Sequence, residues 1–258
     1  MIDYKKASPP SLAKSTRTGK DRNQMEKLDR HSLQAMKSKL GVELMGVVAI
    51  ETTAAKELRD QAVSLLPGVK SVLVLGKEIY REVLALLHPS KDVGEADPAE
   101  LFGPHGDFLN SRLTKAVYDL TDLFRKEGYR SLRLPAAGCP TDQRSLKALF
   151  SYKHAANLGG LGTIGRHSLL ITPEYGPRVR LAGVLTEAPL EPSPALEKNY
   201  CIDCDACIRA CPAKALQMPG PKEVYSMNKF ACRTYRQAGL TCSICMKVCA
   251  EVLRPNIE

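Results

Sequence analysis

The sequence predicts an α/β (α+β) domain joined to a small, cysteine-dense C-terminal domain, and three observations carry that reading. Strand-like apolar runs alternate with amphipathic helical segments from about Met25 to Glu187. The proline-rich stretch "APLEPSPALEKN" then interrupts the pattern. Beyond it the composition changes: eight of the nine cysteines fall between Cys201 and Cys249, and none precedes Cys139. With 258 residues, 44% of them hydrophobic, the chain has enough apolar surface for one sizeable core and a smaller appendage. The expected organisation is a basic, partly disordered tail over 1–30, the α/β domain over 31–192 and the cysteine domain over 193–258.

Each element follows from local pattern. Met25, Leu28, Leu33, Met36 and Leu40 recur at helical spacing, and Gly41 supplies a stop. "ELMGVVAI" reads as a buried strand; "AAKELRDQAVSLL" is an amphipathic helix that ends at Pro67-Gly68. "SVLVLG" is a second buried strand, and "KEIYREVLALLH" reads as helical up to Pro89. A polar loop is expected over roughly 89–105, followed by the long amphipathic helix "DFLNSRLTKAVYDLTDLFRKEGY". "SLRLP" is a short strand, "SLKALFSYKHAANLGG" a helix closed by glycines, and "PRVRLAGVLTE" a further strand.

The net charge of +9 is compatible with a polyanionic partner such as RNA. Much of the excess lies in the tail, where Lys5, Lys6, Lys14, Arg17, Lys20 and Arg22 face only Asp3 and Asp21. No basic run interleaved with aromatics supports nucleic-acid binding. No apolar run is long enough to span a bilayer and the start has no signal-like apolar core, so a cytoplasmic location and no membrane partner are expected. In a reducing compartment, and with an odd number of thiols, metal ligation is a better use for these cysteines than disulfides.

The cysteine spacing is specific. Cys201-x2-Cys204-x2-Cys207-x3-Cys211-Pro212 is the pattern in which three thiolates serve one [4Fe–4S] cluster and the fourth serves another. Cys232 and then Cys242-x2-Cys245-x3-Cys249 complete eight ligands for two clusters. The expected partition is Cys201, Cys204, Cys207 and Cys249 for one, and Cys211, Cys232, Cys242 and Cys245 for the other. Paired C-x2-C also suits zinc, but zinc does not require the x3-Cys-Pro ending. Cys139 is left over and reads as a small buried or loop thiol.

A relay of electrons needs an acceptor. Five glycines between Gly159 and Gly176 allow close backbone approach, either as a tight helix-to-strand turn or as a cofactor platform. Gly160, Leu161, Gly162, Thr163, Gly165 and His167 are its candidate cofactor-binding residues. Arg178 and Arg180, which alternate with Val179 on a predicted strand, are expected to point to one face, toward a cofactor, a substrate or solvent.

"GGLGTIGRHSLLI", "LLPGVKSVLVLG" and "CRTYRQAGLTCSICMKVC" together resemble the family that joins epoxyqueuosine reductases with corrinoid-dependent reductive dehalogenases. "LITPEYGPRVR", Thr186-Glu187 and Cys232-x-x-Tyr235 with Gly239 are most similar to the dehalogenase branch. The resemblance covers roughly 42–249. It implies a nitroreductase-like domain that binds a corrinoid (cobalamin, base-off), beside a ferredoxin-like domain with two [4Fe–4S] clusters. In keeping with base-off binding, Asp29-x-His31 is followed by Gln34 where a corrinoid-ligating motif would have glycine.

The chain also departs from the family. Counting back by the family offset places Leu146 where epoxyqueuosine reductases carry an aspartate, and Thr163 where they carry a tryptophan. The dehalogenases are longer and use a tyrosine as proton donor, for which Tyr152 is the nearest candidate, with Lys153 and Arg166 beside the same turn and His154 as a further neighbour. The function expected is reductive cleavage of a carbon–heteroatom bond in a small substrate, fed by a low-potential donor such as a ferredoxin or flavodoxin. The alternatives are an electron carrier without substrate chemistry, or a reductase holding FMN in the α/β domain.

Overall fold

The computed structural model describes residues 30–253 apart from 52, 54, 90–95 and 239–241. The predicted tail, except Arg30, and the first turn of the predicted helix over 25–40 lie outside the described residues. The chain runs through α1 (Arg30–Leu40), β1 (Leu44–Ala49), α2 (Lys56–Leu65), β2 (Ser71–Glu78), α3 (Arg81–Ala85) and a 3-10 turn over Pro98–Leu101. It continues through α4 (Phe102–Lys126), β3 (Ser131–Leu134), α5 (Tyr152–Leu158), the short hairpin β4 (Thr163–Ile164) and β5 (Leu170–Ile171), and β6 (Val179–Thr186). The C-terminal part holds α6 (Ala206–Arg209), the hairpin β7 (Leu216–Gln217) and β8 (Ser226–Met227), α7 (Lys229–Gln237) and α8 (Ile244–Leu253).

Four strands form the central sheet in the order β1-β2-β6-β3, and every pairing is antiparallel. Alternating strands and helices therefore do not mean parallel crossovers here: the connection through α2 leaves β1 at Ala49 and re-enters the sheet at its partner Ser71, so β2 returns against β1. Successive residues of β2 face opposite sides. Val72 and Val74 pack with Leu58, Ala62, Ala155 and Ala156 of α2 and α5, whereas Leu73 and Leu75 pack with Leu113, Val117, Leu120 and Phe124 of α4. Helices on both faces explain the uninterrupted apolar run in that strand.

Three predicted elements change. Lys77 and Glu78 extend β2 opposite Arg180 and Val179, leaving only Arg81–Ala85 of the predicted helix. The Lys77 amine, 2.7 Å from a Glu43 carboxylate oxygen and from the Gly41 carbonyl, ties that extension to the β1 side. Helix α4 starts at Phe102 and accommodates Pro104 in its first turn, where a missing N–H costs no helical hydrogen bond. The predicted helix from Ser145 begins only at Tyr152. The Asp142 carboxylate accepts hydrogen bonds from the backbone N–H of Arg144 and Ser145 and from the Ser145 hydroxyl, closing a turn instead of a helix.

The cysteine-rich part shares a core with the α/β part. Ile244 and Met246 of α8 pack with Ile79, Leu84, Leu87, Phe102 and Leu109. Lys247 donates to the carbonyls of Ala85 and Leu87, each at 2.8 Å. At the predicted boundary, Ser193 straddles Val47: its backbone N–H donates to the Val47 carbonyl and its hydroxyl accepts from the Val47 N–H, both at 3.0 Å. Among the described residues no helix is long and apolar enough to cross a membrane.

Candidate functional site: two thiol clusters and a basic cleft

The loop from Cys201 is bent by Asp203 and Asp205, both in left-handed conformation, and then enters α6 with Cys207 buried inside. Cys201, Cys204, Cys207 and Cys249 line one small cavity, closed on its inner side by Ile171, His167 and Leu253. Cys204 is exposed, whereas Cys207 and Cys249 are buried.

The thiols perturb one another mostly within two sets, although Cys207 also raises Cys245, and Cys245 also raises Cys249. Burial raises the Cys249 thiol, and Cys207, Cys201 and Cys204 raise it further. Burial also pushes Cys245 up to about 12, with Cys242, Cys232 and Cys211 as its strongest neighbours. Cys207 is raised by burial and then by Cys201 and Cys204. Cys232 is raised by burial, by Cys242 and by Cys211, and is lowered by Arg236. Across the sets, Cys245 and Cys249 are four residues apart on α8 yet belong to different groups.

Thiols held this high in pKa become thiolates only with a strong nearby cation, which is what iron supplies. Among the described residues, no three His, Cys, Asp or Glu side chains are placed to hold one metal ion together. A four-iron cluster does not ask for that arrangement, since each thiolate binds its own iron. The donor chemistry, with four thiols around one cavity, fits such a cluster.

The glycine turn packs closely against the rest of the chain, as the tight-turn alternative expects. A Cβ on Gly162 would stand 2.3 Å from the Ile171 carbonyl oxygen, and one on Gly160 2.2 Å from that of Pro194. These close approaches are to the chain itself. Leu161 is buried in the α5 core, and the Thr163 hydroxyl accepts from the Tyr200 N–H at 2.9 Å. Gly165 leaves room for the ring of His167, which would lie 2.9 Å from an added Cβ. The turn thus docks the cysteine-rich part to the sheet.

The charged candidates around it are also engaged. Arg166 binds Asp203 and Asp205, holding the loop that carries Cys201 and Cys204. Lys153 donates to the Ser168 carbonyl at 2.9 Å and lies 3.0 Å from the Tyr225 hydroxyl. His154 shares a hydrogen bond with the Ser151 hydroxyl. The Tyr152 hydroxyl donates to the Pro135 carbonyl at 2.7 Å, and burial, aided by the neighbouring Cys139, raises its pKa. Arg178 is 4% exposed and is held by Glu78 at 2.5 Å and by the Ile79 carbonyl at 2.8 Å.

His167 is 2% exposed, and burial, reinforced by Lys153, lowers its pKa to about 4, so the ring is neutral. Its Nδ1 accepts from the Leu169 N–H at 3.0 Å. The ring proton is therefore on Nε2, which is buried and has no hydrogen-bond partner among the described residues.

A wide opening lies elsewhere, between α4, the turn at Leu146, the start of β6 and helix α7. It is a cleft of about 1000 Å³, at the upper end of the roughly 300–1,000 Å³ typical of ligand pockets. Cys232 and Cys242 form part of its wall, as do Arg180 and Phe102. Lys229, Arg233 and Arg236 make it basic, opposed by Asp107. Tyr152, Lys153 and Arg166 are not in its lining. Leu146, with φ at +52°, is on the rim as an apolar side chain.

Lys229, Arg233 and Arg236 are not among the site residues expected from the sequence, where this segment is read for Cys232, Tyr235 and Gly239. Lys229, Cys232, Arg233 and Arg236 follow the i, i+3, i+4, i+7 spacing of one helix face, and that pattern was the available signal.

No family model matches the chain. It is 29% identical over 181 residues to the epoxyqueuosine reductase of Bacillus subtilis (strain 168), covering 66% of this chain and 41% of the relative. It is 34% identical over 107 residues to the tetrachloroethene reductive dehalogenase of Sulfurospirillum multivorans, covering 35% of this chain and 21% of the relative. The chain thus spans less than half the length of these curated relatives. A solved epoxyqueuosine reductase with an epoxyqueuosine-modified tRNA stem loop aligns with a TM-score of 0.56 and 21% identity, over 85% of this chain and 64% of that one. A reductive dehalogenase structure, from which a mechanism of B12-dependent dehalogenation was suggested, aligns with a TM-score of 0.64 and 18% identity, over 90% of this chain and 33% of that one. The sequence resemblance extends to both branches, and so does the fold.

Proposed function

We propose that this chain is an iron–sulfur reductase that cleaves a carbon–heteroatom bond in a small organic substrate. Its ferredoxin-like C-terminal part holds two [4Fe–4S] clusters, and its nitroreductase-like part offers the cleft to a corrinoid and the substrate. The observation that carries this reading is the gathering of Cys201, Cys204, Cys207 and Cys249 around one cavity, with Cys204 exposed, while Cys232 and Cys242 form part of the wall of a cleft of about 1000 Å³. When bound, the clusters supply single low-potential electrons and the corrinoid supplies the metal centre at which a bond to carbon breaks.

The chain's own residues do the positioning. Cys201, Cys204, Cys207 and Cys249 would hold one cluster, and Cys211, Cys232, Cys242 and Cys245 the other. Arg166 fixes the loop of the first group, and the exposure of Cys204 makes that side the approach for a ferredoxin- or flavodoxin-like donor. His167 lines the same cavity, and its buried Nε2 proton has no partner among the described residues. Helix α7 places Cys232 and Arg236 together, so a cluster ligand and a cation reach the cleft from one element.

One observation favours a second reading, an electron carrier that serves a separate corrinoid protein. Leu146 supplies no proton on the rim of the cleft, at the position where the epoxyqueuosine reductase branch has an acid. For the same reason the tRNA substrate of that branch is not carried over.

Anaerobic reconstitution, iron and sulfide counting and a cob(II)alamin titration test the proposal. About eight irons per chain and stoichiometric corrinoid binding with a base-off spectrum are expected. The full iron count without corrinoid binding would leave only the carrier or the FMN reading, and an iron-free protein would end all of them except FMN.

A further inference from the structure

Arg180 and Arg178 stand two residues apart and are treated oppositely by the fold. Arg178 is enclosed and paired with Glu78. Arg180 is half-buried, and its Nε is fully buried with no hydrogen-bond partner among the described residues. Its position is built: Gly106 of α4 leaves the room, since a Cβ there would stand 2.6 Å from a guanidinium nitrogen, and the Phe102 ring centroid lies 5.9 Å from the guanidinium carbon. One turn further along α4, the buried Asn110 Oδ1 in the same cleft wall also lacks a partner.

The charges nearby make the vacancy sharper. Burial disfavours the Arg180 cation, Arg236 disfavours it further, and Asp107 compensates least. A partly buried cation beside a second cation, with no carboxylate paired to it, is costly unless an anion joins it. A guanidinium fork matches the two oxygens of a carboxylate or a phosphate.

The geometry points to an anion site formed by Arg180 and Arg236 in the cleft wall, which takes the carboxylate or phosphate group of a bound small molecule. This deepens the reductase reading, on which the identity of the cleft as the ligand site rests. The group has two sources, an acidic substrate or the nucleotide phosphate of the corrinoid.

Equilibrium binding to the cluster-loaded full chain separates them, using benzoate against benzamide and cob(II)alamin against cob(II)inamide, which lacks the nucleotide phosphate. A charge-assisted pair makes the preferred member of one couple bind about tenfold more tightly. Arg180→Gln and Arg236→Gln are expected to abolish that preference, and Arg180→Lys to retain part of it. Benzoate preference assigns the site to the substrate; cobalamin preference assigns it to the corrinoid. Equal binding within both couples, or preferences unchanged in both glutamine variants, would overturn the proposal. Benzoate preference without binding of either corrinoid would leave the anion site standing and sink the corrinoid reading instead. Iron content and thermal melting of each variant establish folding, and exposed Arg236 supplies the test if Arg180→Gln unfolds.

Discussion

The Arg166 Nε stands 3.1 Å from the Asp203 carboxylate, and the same guanidinium binds Asp205, so the glycine turn of one half grips the thiol-bearing loop of the other. Asp203 and Asp205 both have positive φ, a conformation that ordinary side chains rarely hold without outside support. Arg166→Met is therefore expected to leave the sheet folded and to release iron from the Cys201 group faster than wild type under chelator challenge. Far-UV circular dichroism with timed iron release checks this; an unchanged rate would show that the loop holds itself.

Removing a ligand should have a stepwise effect that removing the lone thiol does not. Cys204→Ala is expected to lose about four of about eight irons. Cys139→Ala, beside Tyr152 and outside both thiol groups, should lose none. Iron and sulfide analysis after identical reconstitution decides it, and a full complement in Cys204→Ala would overturn the ligand assignment.

The unpartnered Nε2 proton of His167 has a measurable counterpart. Hydrogen bonds to cluster sulfur raise the reduction potential. At about 1 kcal/mol for such a bond, His167→Phe should lower the midpoint of one cluster by about 40 mV while leaving the other unchanged. A redox titration followed by electron paramagnetic resonance reads both midpoints, and two unmoved potentials would return His167 to a packing role.

Glycines give a paired test of the docking turn. Gly162→Ala forces a Cβ to within 2.3 Å of the Ile171 carbonyl, and overpacking of this kind costs about 1–3 kcal/mol. Gly103, in the first turn of α4, has nothing within 4 Å of an added Cβ, so Gly103→Ala should be neutral or stabilising by up to about 1 kcal/mol. Urea unfolding of the two variants should move in opposite directions or leave Gly103→Ala unmoved.

Legibility followed the range of the forces involved. The cysteine spacing is legible because it is local in the sequence, and Cys201, Cys204, Cys207 and Cys249 do line one cavity. Strands β1, β2 and β6 were plain from their apolar runs. Their antiparallel order was not, since a strand's direction depends on where the intervening helix returns the chain. Residues 145–151 carried helical composition, yet the Asp142 side chain captured the backbone N–H groups first. The cleft escaped because its wall joins Arg180 to Arg236, 56 residues later. The glycines were noticed for their freedom, but only the fold reveals that Ile171 and Pro194 occupy the space they leave.

Ser193 fastened on both sides of Val47 has a last consequence. The peptide joining the two halves is stitched into the sheet edge, so it is no hinge, and the thiol-bearing half is not a tethered shuttle that swings between donor and acceptor. On the proposed reading, supply and delivery of electrons happen at fixed and separate addresses, one on the outer surface at Cys204 and one inside the cleft. Traffic through such a molecule is set by who docks, not by how the molecule moves.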